Sequence, residues 1–270
     1  MRVQVGDVRL FFDVEGPDGL PTAILVAGGP GQSHRHHKVT PPFPDGTARI
    51  VHYDHRGTGR SDQSDREHWN LDTWADDLAG LCDALEIERP IVLGTSFGAI
   101  VALAFAEKYP DRLSKLILVS GLARFLRDEI RETFVRLGGT EAGRVAERAN
   151  REGTIEAFTE YQRVCAPLYT RTPMRAEQVA AFDREPYNFE LFVHWLRGEA
   201  RTLDLRPGLA SVRCPTLVLA GADDPIAPAA ASREIAAGIA DATLRVYENC
   251  GHNPLHDARD AALADVAAFL

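Results

Sequence analysis

Gly94-Thr95-Ser96-Phe97-Gly98-Ala99 follows the apolar run Pro90–Leu93 and leads directly into Phe97–Tyr109, a stretch that is apolar nearly all round. A short strand-like run, a serine flanked by glycines and a helix fit for the interior together make G-x-S-x-G in a strand–turn–helix setting. A serine on so tight a turn adopts strained backbone angles, so the neighbours at Gly94 and Gly98 must be small. Its hydroxyl then stands clear of the strand. The helix that begins beside it presents N–H groups and the positive end of its dipole, which favour a negatively charged oxygen.

Continuous β-branched runs of the same kind recur at Thr22–Ala27, Arg49–Tyr53, Lys115–Val119, Pro215–Leu219 and Ala242–Val246, the pattern of strands covered on both faces. Before them, Val3, Val5, Val8, Leu10 and Phe12 alternate around Gly6-Asp7 and predict a β-hairpin. Leu71, Trp74, Ala75, Leu78, Leu81, Cys82 and Leu85 form one helical stripe, and an alanine-rich helix is expected around Ala227–Ala240. Strands alternating with helices imply crossover connections and a mostly parallel, doubly wound α/β sheet, with active groups at the carboxyl ends of the strands. From Arg124 to Arg206 this alternation stops. Helical stripes such as Phe125, Leu126, Ile130, Phe134 and Leu137, or Phe189, Phe192, Val193 and Leu196, appear there with many charges and no strand run. The expected organisation is one core domain, 1–123 and 207–270, carrying a helical cap or lid inserted at 124–206.

A serine hydroxyl is a poor nucleophile until a base takes its proton, and the base needs an orienting acid. After the run Pro215–Leu219 comes Gly221-Ala222-Asp223-Asp224-Pro225, and after the last run comes Asn249-Cys250-Gly251-His252-Asn253-Pro254. The order is Ser, Asp, His. The spacings, 224 − 96 = 128 and 252 − 224 = 28, leave room for the helical insertion and then for one βα unit. Ser96, Asp224 and His252 are therefore the catalytic candidates, with Asp223 as the alternative acid. His256 and His194 are read as surface or supporting residues. The backbone N–H of Phe97 is one expected oxyanion donor. Gly29, within Ala27-Gly28-Gly29-Pro30-Gly31 after the third strand, is the other, because no Cβ keeps its N–H from turning inward.

Composition narrows the partners. Asp and Glu number 39 against 30 Lys and Arg, a net charge of −9, which argues against nucleic-acid binding. No window approaches a membrane span and the first residues have no apolar signal core, so a cytoplasmic protein is expected. Cys82, Cys165, Cys214 and Cys250 are too scattered for a metal knuckle or a disulfide framework. His34, His36 and His37 cluster without acidic partners at ligand spacing, and no metal or other cofactor is expected.

Over essentially its whole length the chain resembles the α/β-hydrolase superfamily. Ala27-Gly28-Gly29-Pro30-Gly31, followed by Tyr53-Asp54-His55-Arg56-Gly57-Thr58-Gly59-Arg60-Ser61, looks like the H-G-G-P-G and Y-D-x-R-G-x-G-x-S of its proline iminopeptidase branch. The resemblance implies an eight-stranded, mostly parallel sheet with helices on both faces. It makes Ser96 the nucleophile, His252 the general base and Asp224 the acid, the last because G-x-x-D-x-x-x-P matches Gly221, Asp224 and Pro228. Two features depart from that branch: Ala27 stands where it has histidine, and Phe97 where it often has Trp or Tyr. Iminopeptidases also hold the substrate's free amine with acidic residues in or near the lid. Glu160, Glu190 and Glu199 are candidates for that role here, and His194 and Trp195 are further substrate-binding candidates.

The expected function is a cofactor-free serine hydrolase that forms an acyl-enzyme on a small ester, lactone or amide, including release of N-terminal residues. The alternatives are carbon–carbon bond hydrolysis or a non-hydrolytic biosynthetic reaction on the same fold, and a ligand-binding protein without turnover. The expected partner is a small molecule or short peptide. The oligomeric state is left open.

Overall fold

The computed structural model describes residues 1–176, 178–179 and 187–270, and only the backbone of His36. The chain opens with β1 (Arg2–Val5) and β2 (Val8–Glu15), an antiparallel hairpin in which Val5 faces Val8 across the Gly6-Asp7 turn. Gly6 takes a positive φ of 52°, the left-handed geometry a two-residue hairpin needs. Then follow β3 (Thr22–Val26), the short α1 (Arg35–Val39), β4 (Arg49–Tyr53), α2 (Leu71–Ala84), β5 (Ile91–Thr95), α3 (Phe97–Lys108) and β6 (Lys115–Val119). After the helical segment described below come β7 (Thr216–Gly221), α7 (Ala229–Gly238), β8 (Ala242–Tyr247), α8 (Pro254–Asp257) and α9 (Arg259–Phe269).

The eight strands form one sheet in the order β1-β2-β4-β3-β5-β6-β7-β8. The first two are antiparallel to their neighbours and every pairing from β4 to β8 is parallel. Alternate strand residues feed two separate cores. Ile24, Val26, Val92, Leu116, Leu118 and Val218 pack with α2, α3 and α7, while Leu25, Leu93, Ile117, Val119 and Leu219 pack with Leu255, Ala262 and Val266 of α8 and α9. Burial on both faces explains the continuous apolar runs. The outermost strand differs: β8 alternates half-buried and exposed residues because it has a neighbour on one side only and its Thr243 and Arg245 face solvent.

Between β6 and β7 the described residues hold helices and turns and no strand. These include α4 (Arg127–Glu152), α5 (Ile155–Val164) and α6 (Phe189–Arg197). α4 is bent at Gly139, whose φ of 77° breaks the helix and lets its two halves run in different directions. Ile130, Phe134, Val145 and Cys165 form a small core within this segment, separate from those of the sheet.

Candidate active site

The turn after β5 follows from the glycines on either side of Ser96. Ser96 has φ 56° and ψ −119°, a conformation that L-residues avoid, and it precedes the first residue of α3. A Cβ on Gly94 would stand 2.2 Å from the carbonyl oxygen of Gly98, and a Cβ on Gly98 would stand 2.1 Å from that of Val26. Only hydrogen fits at either position. The Ser96 hydroxyl projects into a cavity of about 220 Å³ between the carboxyl ends of the strands and the helical segment.

His252 lies beyond β8, and its Nε2 is 2.9 Å from Ser96 Oγ. Its Nδ1 is 2.9 Å from both carboxylate oxygens of Asp224, which follows β7. Asp224 is buried, and its Oδ1 also accepts the N–H groups of Ile226 and Ala227 at 2.8 and 2.9 Å. Three N–H donors, the ring's shared between both oxygens, therefore hold a buried carboxylate against the imidazole, which suits stabilisation of a positive ring. Asp223 points elsewhere: it pairs with Arg136 of α4 at 2.5 Å.

Gly29 and Phe97 both border the cavity at Ser96. Phe97 opens α3, where an N–H has no acceptor within the helix. Gly29 has a positive φ of 57°, and the turn it starts is closed by the N–H of Gln32 on its carbonyl at 2.8 Å. The Phe97 ring stands edge-on to Trp74 and Trp195, with centroids 5.1 and 5.0 Å away. Trp195 is buried and lines the cavity.

The Tyr53–Ser61 stretch is a brace. Asp54 accepts the backbone N–H groups of His34 and Arg60, both at 2.8 Å, and Arg56 makes a two-pronged pair with Asp77 at 2.6 Å per bond. His55 Nε2 lies 3.3 Å from the carbonyl oxygen of Ala27, and its Nδ1 lies 3.3 Å from the Tyr53 hydroxyl. Burial lowers the His55 pKa to about 4, which keeps the ring neutral. The neutral ring donates to Ala27 and accepts from Tyr53. An imidazole thus reaches the Ala27–Gly31 loop from just beyond β4, although position 27 carries none.

The glutamates expected to meet a substrate amine lie elsewhere. Glu160 is held by Arg144 at 3.0 Å and Arg148 at 2.6 Å, which keep its carboxyl below the usual range. Glu190 pairs with Arg66 on the surface. Glu199 accepts the N–H of Leu71 at 2.8 Å, at the first turn of α2, and burial raises its pKa. None of the three lines the Ser96 cavity, and neither does His194, whose ring packs edge-on against Trp69 at 5.8 Å. Glu160 and Glu190 are instead engaged in ion pairs and His194 in ring packing, outside the cavity lining.

Among the other histidines, His256 Nε2 lies 3.0 Å from the Thr172 carbonyl, His34 pairs with Asp54, and His37 meets the Thr95 hydroxyl at 3.1 Å. The His36 side chain lies outside the described residues. Among the described residues no cluster of His, Cys, Asp or Glu is arranged to hold a metal, and no helix is long and apolar enough to cross a membrane.

The helical segment supplies most of the cavity wall, and of its side chains there the sequence singles out Trp195 alone as a substrate contact. Phe134, Phe158, Tyr161, Tyr169, Phe189 and Phe192 face Ser96 across the space. Their signal was a density of aromatic residues within an otherwise charged stretch. Apart from His252, no titratable acid or base lines the cavity among the described residues except the tyrosines.

The chain is similar to several known proteins. RutD of Caulobacter sp. (strain K31), a carbamate hydrolase by name, is 33% identical over 228 residues, 82% of this chain and 80% of that one. The 2-hydroxy-6-oxo-6-phenylhexa-2,4-dienoate hydrolase of Comamonas testosteroni is 29% identical over 88% of this chain and 83% of its own. The crystal structure of a proline iminopeptidase from Mycobacterium smegmatis superposes with a TM-score of 0.77 at 25% identity, covering 100% of this chain and 96% of that one. The family described as alpha/beta hydrolase fold matches residues 21–258. A match of that extent, on this sheet order, shows that the chain belongs to the alpha/beta hydrolase family.

Proposed function

We propose that this protein is a serine hydrolase that cleaves a small, uncharged ester or lactone through an acyl-enzyme. The observation that carries the reading is the unbroken hydrogen-bond line from Ser96 Oγ to His252 Nε2 and from Nδ1 to Asp224, each link 2.9 Å, at the edge of an aromatic cavity. His252 takes the proton as Ser96 attacks the carbonyl carbon, and Asp224 stabilises the imidazolium. The N–H groups of Gly29 and Phe97 receive the developing oxyanion. His252 then returns the proton to the leaving oxygen, and afterwards activates the water that releases the acid. The chemistry needs no cofactor. Residues 124–206 act in this reading as a cap that shapes the acyl and leaving-group pockets, and the four free, buried cysteines suit a reducing cytoplasmic setting.

The wall favours an uncharged substrate. Among the described residues it offers neither a carboxylate for a peptide's amino group nor a Lys or Arg for an acid. This lowers the support for the iminopeptidase version, whose three candidate glutamates are engaged elsewhere. Carbon–carbon bond hydrolysis is the second reading. The Comamonas relative, whose named substrate carries a phenyl group, favours it, since phenyl suits the aromatic wall. That substrate's carboxylate would nevertheless find no cation in the described lining.

A fluorophosphonate probe should label Ser96, and Ser96→Ala should lose both the label and the hydrolysis of p-nitrophenyl esters. Label or turnover surviving in the variant would end this reading. High activity confined to proline arylamides would return the choice to the iminopeptidase.

A further inference from the structure

Besides Gln32, Ser120, Asn150 and Gln162, the aromatic cavity is lined by a pair of phenol hydroxyls that the proposed hydrolysis does not use. The hydroxyls of Tyr161, on α5, and Tyr169, a few residues beyond it, lie 2.6 Å apart and both residues line the cavity. Two hydroxyls carry two protons, and only one can sit between the two oxygens. The other proton has no acceptor among the described residues, and burial holds both phenols above their ordinary pKa, so both protons stay in place. The rings are fixed as well. Phe134 stands edge-on to Tyr161 at 5.9 Å, and Phe158 stacks on it at 6.4 Å. Tyr169 stands edge-on to His252 with centroids 5.4 Å apart.

We propose that the Tyr161–Tyr169 hydroxyl pair is a subsite for an uncharged hydrogen-bond-accepting oxygen, an ether or carbonyl, on the leaving-group side of the substrate. The assignment rests on the hydrolase reading above. The side follows from Tyr169: its ring abuts the imidazole that hands a proton to the departing oxygen, so atoms lying against it belong to the group that departs. A pre-positioned donor whose partner hydroxyl fixes its direction, in a mostly aromatic wall, discriminates. An oxygen placed there completes the pair's hydrogen bonding, whereas a methylene leaves a buried O–H without a partner.

The test compares two esters of equal length, 2-methoxyethyl hexanoate and n-butyl hexanoate, on the wild type, Tyr161→Phe and Tyr169→Phe, with kcat/KM read by pH-stat. Each phenylalanine keeps the ring packing. The wild type should favour the ether ester, and each variant should lower that preference roughly tenfold, the usual effect of one buried hydrogen bond, by losing turnover of the ether ester more than that of the butyl ester. A parallel fall on both esters would mean that the pair only supports the fold, and would overturn the subsite. So would an unchanged ratio, or a wild type that carries the fluorophosphonate on Ser96 yet shows no preference, turning over both esters or neither. Failure of the hydrolase reading is separate: it shows as loss of Ser96 labelling, before either ester is compared.

Discussion

The backbone N–H of His252 donates to the carbonyl oxygen of Tyr169 at 2.6 Å. The histidine that touches Ser96 is thereby tied to the helical segment above it, and Asp257 strengthens the tie. Its Oδ2 accepts the N–H groups of Gly251 at 2.8 Å and Arg171 at 2.9 Å, and its Oδ1 accepts that of Thr172 at 2.9 Å. One carboxylate thus joins the histidine loop to the helical segment. Asp257→Ala leaves three N–H groups without their acceptor and frees His252 to drift, and misplacement of about 1 Å costs on the order of 100-fold in rate. We expect kcat/KM on a p-nitrophenyl ester to fall by about that factor, with Ser96 labelling slowed in proportion. A lowered Tm with unchanged kcat/KM would show that the clamp serves stability alone.

Gly98→Ala tests the turn that presents Ser96. The added methyl would lie 2.1 Å from the Val26 carbonyl oxygen and 2.5 Å from that of Ala27, both main-chain atoms of β3 and the loop after it. Neither can rotate away, so α3 must shift from the sheet, a change that costs about 1–3 kcal/mol or more. The expected result is a lower Tm and lost Ser96 labelling. Gly6→Ala serves as the control: its φ of 52° strains any side chain, but nothing lies within 4 Å of its Cβ, so backbone strain without a clash, far from Ser96, should leave labelling intact.

What could be read from the sequence divides along the line between local and distant causes. The strand runs, the Gly6-Asp7 turn and the tight turn at Ser96 depend on neighbours within a few residues; Arg49–Tyr53 and Lys115–Val119 match expectation at both ends and the other parallel strands differ by one or two residues. The meeting of Ser96, Asp224 and His252 was legible because three loops at the carboxyl ends of parallel strands must open on one side of the sheet. The fate of Glu160 was not, because it depends on Arg144 and Arg148 of α4 packing beside α5, an arrangement no spacing encodes. The His55 contact with Ala27 joins residues 28 apart in sequence, brought together by the pairing of β3 with β4.

His55 should make the protein acid-labile. Its pKa is about 4 when folded, against an ordinary 6.5, so between those values the unfolded chain binds a proton that the folded one refuses. The stabilisation is fully present above about pH 6.5 and is lost as pH falls towards 4, a change of at most ~3 kcal/mol. His55→Gln keeps a donor for the Ala27 carbonyl and does not titrate. Calorimetry between pH 7 and 4 should give a shallower fall of Tm in the variant, and equal slopes would remove His55 as the cause.

Glu107 acts in the opposite sense. It lies on α3 against Gly208, whose added Cβ would stand 2.2 Å from Glu107 Oε2, and its Oε1 is buried without a hydrogen-bond partner among the described residues. Burial raises its pKa to about 7 from an ordinary 4.5. The folded state therefore holds a proton that the unfolded state has already released, so this contribution is present below about pH 4.5 and is lost as pH rises through 7. Above pH 7 an ionised carboxylate sits in a place that provides it no partner. Glu107→Gln, of nearly the same shape and without charge, should raise Tm at pH 8 by about 2 °C, the shift that ~1 kcal/mol produces in a chain of this size. At pH 5 the wild-type side chain is already neutral, and the two proteins should melt together. A gain of equal size at both pH values would place the effect in packing rather than in ionisation.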